Sequence, residues 1–142
     1  MSYDSDLIDL CRRKKIHVSN LGPADLLFEL IEKKYPFSGN RVAFCKLNNY
    51  KYAKTSNNRA ISDMVQFIEP LQGLIAKTSE LIYLGDNLTE NAYLTSNTNL
   101  IKFISCFIEI PQSHYLLAKD VSWCINLSFE NDIEFGALDD SQ

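Results

Sequence analysis

Apolar and polar residues alternate between positions 121 and 129, near the carboxyl end of the chain. A repeat of two residues predicts a β-strand with one face in a hydrophobic core and the other face toward solvent. The apolar positions are Val121, Trp123, Ile125, Leu127 and Phe129, and the positions between them are Ser122, Cys124, Asn126 and Ser128. Because Trp123, the single tryptophan, lies in the middle of the apolar side, we expect it at the centre of the core.

Turn-forming residues interrupt this alternation at positions 130–132, and the apolar pattern resumes at Ile133 and Phe135. Two alternating segments joined by such a short loop predict a β-hairpin. A further strand is predicted over residues 114–119 and leads directly into the hairpin. Because the last three strands connect through short loops, we expect them to be antiparallel.

Apolar residues at helical spacing predict four helices in the rest of the chain. These helices cover residues 3–15, 23–35, 58–69 and 100–108. We expect Asn57 or Asn58 to cap the third helix, and we expect Leu26 and Ile61 to lie in the core. The fourth helix should be mostly buried, because apolar residues cover nearly all of its faces. The remaining predicted strands cover residues 42–47 and 80–84. The polar segment 47–58 indicates an exposed loop or a ragged hairpin.

Together these elements predict an α+β fold, in which an antiparallel sheet with a C-terminal β-hairpin is packed by about four helices. We expect the helices to cover one face of the sheet and to leave the other face at least partly exposed. A chain of 142 residues that is 46% hydrophobic has enough apolar side chains for one core, so we expect a single domain over residues 1–142.

The sequence gives no sign of export or of a membrane. No apolar run reaches the roughly 20 residues that a spanning helix needs, and the acidic N-terminus does not resemble a signal peptide. We therefore expect a cytoplasmic protein. The cysteines are scattered without a C-x-x-C pair, and His17 and His114 are far apart in sequence. This spacing predicts buried thiols in a reducing compartment, with no metal site and no cofactor.

Motifs of common enzymes are missing. The chain has no phosphate-binding glycine loop, no H-E-x-x-H and no G-x-S-x-G. A Cys106–His114 nucleophile is conceivable, but a thiol within an apolar helix is usually inert. An Asp120–Asp132 carboxylate pair across the hairpin is also conceivable, although carboxylates near turns are usually solvated. We therefore expect a protein that is not an enzyme.

Charge is divided unevenly along the chain. The first 79 residues include twelve basic and eight acidic residues, a net charge of +4, whereas the remaining 63 include two basic and ten acidic residues, a net charge of −8. An acidic half repels nucleic acid and attracts a basic protein, although acidic sheet faces also serve solubility alone. We therefore interpret Arg12–Lys15 as a helix end and Tyr50–Lys54 as loop residues, rather than as nucleic-acid contacts.

The C-terminal quarter resembles a known family. The segments Tyr115–Asp120, Ser122–Trp123, Phe129–Asp132 and Gly136 are similar to the closing hairpin of bacterial immunity proteins. The resemblance implies a cytosolic antidote that binds one cognate toxin domain, often a nuclease, and blocks its active site or substrate cleft. The acidic half independently fits a basic partner. The predicted partner-binding residues are Asp86, Glu90, Asp120, Glu130, Asp132 and Glu134.

Two other classes of function stay open. Small acidic α+β chaperones of bacterial secretion effectors have a similar length and isoelectric point, although they usually close with a helix. An enzyme or regulatory domain without a recognisable motif is the third interpretation. The sequence favours the immunity protein because it closes with a predicted strand.

Overall fold

The computed structural model of the chain describes residues 3–39 and 41–138. Within these ranges it contains five α-helices, four of them at least eight residues long, and nine strands. The helices are α1 (Tyr3–Arg13), α2 (Ala24–Lys34), α3 (Ala60–Ile68), α4 (Gln72–Ile75) and α5 (Leu100–Phe107). The strands are β1 (Ser19–Pro23), β2 (Phe37–Ser38), β3 (Arg41–Val42), β4 (Asn48–Lys54), β5 (Glu80–Gly85), β6 (Asn91–Ser96), β7 (His114–Ala118), β8 (Trp123–Leu127) and β9 (Asp132–Ala137).

Seven strands form one sheet in the order β1-β6-β5-β7-β8-β9-β4, and all neighbours are antiparallel. The strands β2 and β3 form a separate hairpin. The predicted C-terminal hairpin is confirmed as β8 and β9, with Trp123 opposite Ala137. In its turn, the Asn131 N–H donates to the Ser128 carbonyl at 2.9 Å, and Asn131 adopts φ +70°. The predicted α+β class is therefore confirmed.

Both faces of the central strands β7 and β8 are covered, whereas the second face stays partly exposed along β4, where Tyr52 is 50% exposed, as expected. On the first face, α1, α3, α4 and α5 pack around Trp123. On the second face, α2 and the β2–β3 hairpin pack against Leu117 and Cys124. All five residues of β8 are buried, including Asn126, whose amide nitrogen donates to the His114 carbonyl oxygen at 2.9 Å. On β8 a small side chain and a hydrogen-bonded one, Cys124 and Asn126, thus occupy the second face, where the alternation predicted solvent.

Trp123 lies in the core, as predicted, with 1% of its surface exposed. Its ring centroid is 6.4 Å from that of Phe135 on the neighbouring strand. Its indole nitrogen makes no hydrogen bond to the described residues. The position therefore stabilises the fold through apolar contact rather than through polar anchoring.

The segment between residues 42 and 58 differs from its predicted structure. The expected strand at 42–47 stops at Val42, and a 3₁₀-helix at Phe44–Lys46 follows it. The expected loop is instead β4, an edge strand that pairs with β9. Lys51 ties this edge to α3, because its Nζ donates to the Phe67 carbonyl at 2.8 Å and lies 4.6 Å above the Phe67 ring centroid. The sequence also gave no indication of β6, which pairs with β5.

The four predicted helices are present, although some of their predicted faces are rotated. Leu26 and Ile61, both expected in the core, are 63% and 43% exposed. Ile31 in α2 is buried, as helical spacing predicts, and Phe67 joins the inward face of α3. The α3 N-cap is Arg59, which makes no side-chain cap, so the prediction of an asparagine cap was wrong.

Cys11, Cys106 and Cys124 are buried, as expected, but Cys45 is exposed because it lies on the short 3₁₀-helix at the surface. Within the described ranges, none of the helices combines the length and the apolar character that crossing a membrane requires.

Candidate functional site: an acidic cleft at one end of the sheet

The six predicted binding carboxylates do not form one cluster. Asp120 lies in the turn before β8, whereas Glu130 lies in the turn after it, so the five-residue strand separates them. For the same reason Asp120 and Asp132 cannot form the carboxylate pair considered above. Asp86 follows β5, which ends opposite the start of β7, and thus lies at the Glu130 end of the sheet.

Two of the predicted carboxylates are already occupied by partners within the chain. Asp132 accepts hydrogen bonds from the Tyr52 hydroxyl at 2.7 Å and from the Lys54 Nζ at 3.0 Å. These bonds, first the one from Tyr52 and then the one from Lys54, lower the pKa of Asp132. Glu134 lies 3.6 Å from the Arg41 guanidinium. Part of the acidic half thus neutralises part of the basic half inside the fold.

The same contacts account for the basic and aromatic segment on β4. The Tyr50 hydroxyl donates to Glu134 at 3.1 Å, and Lys54 also donates to the Glu130 carbonyl at 2.9 Å. Lys51 is tied to Phe67 as described above. These side chains therefore bind the β9 edge and α3.

Two of the predicted carboxylates, Asp86 and Glu130, make no ion pair in the described part of the chain. Both line a cavity of about 450 Å³, which we call the acidic cleft. It lies between α2, the β2–β3 hairpin, the adjacent ends of β5 and β7, and the turn after β8. Its lining includes four aromatic rings, three carboxylates and one guanidinium, namely Phe28, Phe37, Tyr115, Phe129, Glu32, Asp86, Glu130 and Arg41.

Tyr115 forms part of the inner wall of the acidic cleft. The residue is 7% exposed, and its ring is nearly perpendicular to that of Phe28, with the two centroids 5.4 Å apart. Its hydroxyl makes no hydrogen bond within residues 3–39 and 41–138. Burial, followed by the nearby Cys124 and Asp86 side chains, raises the pKa of Tyr115, so this hydroxyl keeps its proton. An unpaired hydroxyl inside a cavity can bind a ligand atom.

The rim of the acidic cleft carries net negative charge. The carboxylates of Glu32, Asp86 and Glu130 make no ion pair with any residue in the described part of the chain. Arg41 is turned toward Glu134 instead. Three carboxylates against one guanidinium leave two net negative charges around the opening.

Backbone bonds hold the rim in place. Asp86 accepts from the Ser113 N–H at 3.1 Å, and the Ser113 hydroxyl accepts from the Phe129 N–H at 3.1 Å. These bonds fix the turn after β8 against β7. Phe129, expected on the core side of the strand, is 62% exposed and borders the acidic cleft. An exposed aromatic ring among carboxylates is a feature of protein-binding surfaces.

A smaller groove of about 350 Å³ extends the acidic surface past Asp86. Asp25, Asp86 and Glu90 contribute carboxylates to it. The backbone there is fixed, because the Glu90 N–H donates to the buried Asp4 carboxylate at 2.8 Å. The structure therefore brings Asp86, Glu90 and Glu130 to one end of the sheet and adds Asp25 and Glu32 to them.

The conceivable Cys106–His114 pair is not formed. The Cys106 thiol is positioned near the Lys102 carbonyl and the Cys11 thiol, and burial raises the pKa of Cys106. His114 is instead part of a buried network in which its Nδ1 lies 2.7 Å from the Tyr83 hydroxyl. In the ranges that the structure describes, no group of three or more His, Cys, Asp and Glu side chains is arranged to hold a metal ion.

Sequence reasoning missed the parts of the acidic cleft that come from distant segments. None of the candidate sites that the sequence indicates includes Asp25, Phe28, Glu32 or Tyr115. Each lies in an ordinary helical or strand pattern, so only the packing of α2 on the second face reveals their proximity. No protein-family model, curated protein or solved structure matches the chain.

Proposed function

We propose that the chain is an immunity protein that binds and neutralises a basic toxin domain, often a nuclease in this class of system, through its acidic end. The observation that carries the proposal is the arrangement of carboxylates. Those without an ion pair in the described part of the chain, including Asp86, Glu90 and Glu130, lie at the same end of the sheet as the exposed Phe129. Those at Asp132 and Glu134 are neutralised elsewhere.

This arrangement has the anatomy of a binding surface for a basic protein. Exposed carboxylates raise the association rate through long-range attraction, which matters for an antidote that must act before the toxin does. The Phe129 ring supplies the apolar contact that prolongs the complex once formed. Blocking the toxin then requires only that the acidic end covers its active site or substrate cleft.

Charge reversal on the acidic end tests the proposal with a toxin domain encoded beside this protein. The Asp86→Lys and Glu130→Lys double variant changes the charge by four units without disturbing the internally paired Asp132 and Glu134. We expect association about tenfold slower or more, with a weaker dependence on salt. The matched control is Asp6→Lys with Glu69→Lys, which makes the same change of charge at exposed positions of other elements.

Measurement of the association rate by stopped-flow fluorescence separates the two double variants, after thermal melting has shown that both are folded. Equal rates for the two would place the contact surface elsewhere. Survival of cells that express the toxin gives the biological readout. If the wild-type protein neither binds nor protects against such a toxin, the proposed function fails.

A further inference from the structure

The geometry points to a specific ligand for the acidic cleft: we propose that it receives the guanidinium group of an arginine side chain presented by a protein or peptide. The inference rests on the proposed function for the identity of the partner, and it adds which chemical group of that partner is recognised. Its components are an unpaired tyrosine hydroxyl, a surplus of carboxylates and a set of aromatic rings around one cavity.

The unpaired hydroxyl of Tyr115 is the first component. The residue as a whole is 93% buried, but its hydroxyl oxygen is not one of the fully buried polar atoms without a partner, so this oxygen keeps accessible surface. Tyr115 has no hydrogen-bond partner for this oxygen in the described part of the chain, and it lines the acidic cleft. A ligand N–H can therefore be donated to its oxygen. Such a ligand must carry a hydrogen-bond donor to the inner wall.

The charge of the rim sets the sign of the ligand. Glu32, Asp86 and Glu130 are free of ion pairs within the described ranges, and Arg41 is held by Glu134 at 3.6 Å. An anion would meet two net negative charges at the opening, so the single guanidinium of Arg41 does not make this an anion site. A cation gains attraction from the rim and restores the local balance of charge.

The rings of Phe28, Phe37 and Phe129, together with Tyr115, favour a guanidinium over an ammonium ion. A planar guanidinium stacks on aromatic faces, is more weakly hydrated than an ammonium and directs five N–H donors in a fixed plane. It can therefore contact a ring, a carboxylate and the Tyr115 hydroxyl at the same time. A volume of about 450 Å³ accommodates an arginine side chain with bridging water.

The inference can be tested without any toxin. We would titrate the full chain with N-acetyl-arginine methylamide and follow the backbone amide resonances by NMR. The comparison ligands are N-acetyl-citrulline methylamide, which has nearly the same shape without the charge, and N-acetyl-lysine methylamide. We expect saturable shifts at Asp86, Tyr115 and Phe129 with the arginine ligand, affinity several-fold lower with lysine, and no saturation with citrulline.

Two variants connect those shifts to the acidic cleft. Tyr115→Phe removes only the unpaired hydroxyl, so the fold should persist, and arginine affinity should fall about threefold or more. Asp86→Asn with Glu130→Gln should lower the affinity about tenfold or more, whereas Asp6→Asn with Glu69→Gln should leave it unchanged. Equal shifts with citrulline, or unchanged affinity in both cleft variants, would overturn the inference.

The two proposals fail in different ways. Arginine binding in the cleft without any neutralised toxin would remove the proposed function and retain the ligand assignment. In the opposite case, Tyr115→Phe still neutralises the toxin and the isolated chain shows no saturable arginine binding. That result would retain the function and remove the ligand assignment.

Discussion

The buried His114 should make stability depend on pH in a way that one substitution removes. Its neighbours fix its protonation state. The Gln112 carbonyl oxygen accepts the N–H groups of Asn87, Leu88 and Thr89, so its amide nitrogen faces Tyr83 and donates to that hydroxyl at 3.1 Å. The Tyr83 proton then points to His114 Nδ1, 2.7 Å away, which must be unprotonated to accept it.

The magnitude follows from the pKa. Burial lowers the pKa of His114 from 6.5 to about 4. At His114 the unfolded chain binds a proton at higher pH than the folded protein does. The stability that the neutral His114 contributes is therefore fully present above pH 6.5 and is lost as the pH falls toward 4. A difference of about 2.5 units corresponds to roughly 3 kcal/mol, which is a large share of the 5–15 kcal/mol typical of a domain.

The assay is urea unfolding at pH values from 7.5 to 4, comparing the wild-type protein with His114→Asn. The asparagine oxygen can still accept from Tyr83 but does not titrate. We expect the wild type to lose about 3 kcal/mol more than the variant over this range. The control His17→Asn removes the exposed histidine and should follow the wild type. Parallel pH dependence of the wild type and His114→Asn would refute the assignment of a neutral, buried imidazole.

Three further substitutions or titrations test other parts of the fold. Trp123→Ala should cost roughly 3–5 kcal/mol in urea unfolding, and Trp123→Phe distinctly less, because the indole N–H makes no hydrogen bond to the described residues; equal costs would contradict this. Gly85→Ala should destabilise by more than 1 kcal/mol, since its Cβ would overlap the Gln112 side-chain amide, and an unchanged melting temperature would show that Gln112 moves freely. Titration with single-stranded DNA at physiological salt should give no micromolar binding, because Lys51 and Lys54 bind within the chain; salt-sensitive binding would count against the internal pairing.

Sequence patterns were most informative about single helices and strands. The alternation around Trp123 predicted the hairpin and the core anchor, and helical spacing predicted the four longer helices. The pattern did not reveal that α2 covers the second face, because Cys124 and Asn126 are compatible with solvent as well as with burial. That second layer depends on tertiary packing, which local periodicity does not encode.

The candidate site was predictable only in part, for the same reason. The sequence shows which carboxylates exist, but not which of them meet a lysine, arginine or tyrosine in the fold. Asp132 and Glu134 lie opposite Lys54 and Tyr52 because β4 pairs with β9, a long-range pairing that their spacing does not indicate. The acidic cleft likewise requires α2 and the end of β7 to meet. Charge composition therefore predicts an acidic surface, whereas strand pairing determines which of its charges are left without an internal partner.

Hydrogen exchange in the complex with the toxin domain encoded beside this protein tests the central claim most directly. Binding through the acidic end should slow amide exchange in peptides that contain residues 86–90 and 128–131, relative to the free protein. Exchange along β4 should stay unchanged, because that edge lies outside the proposed surface. Protection confined to residues 48–54, with none at 86–90 or 128–131, would contradict the account.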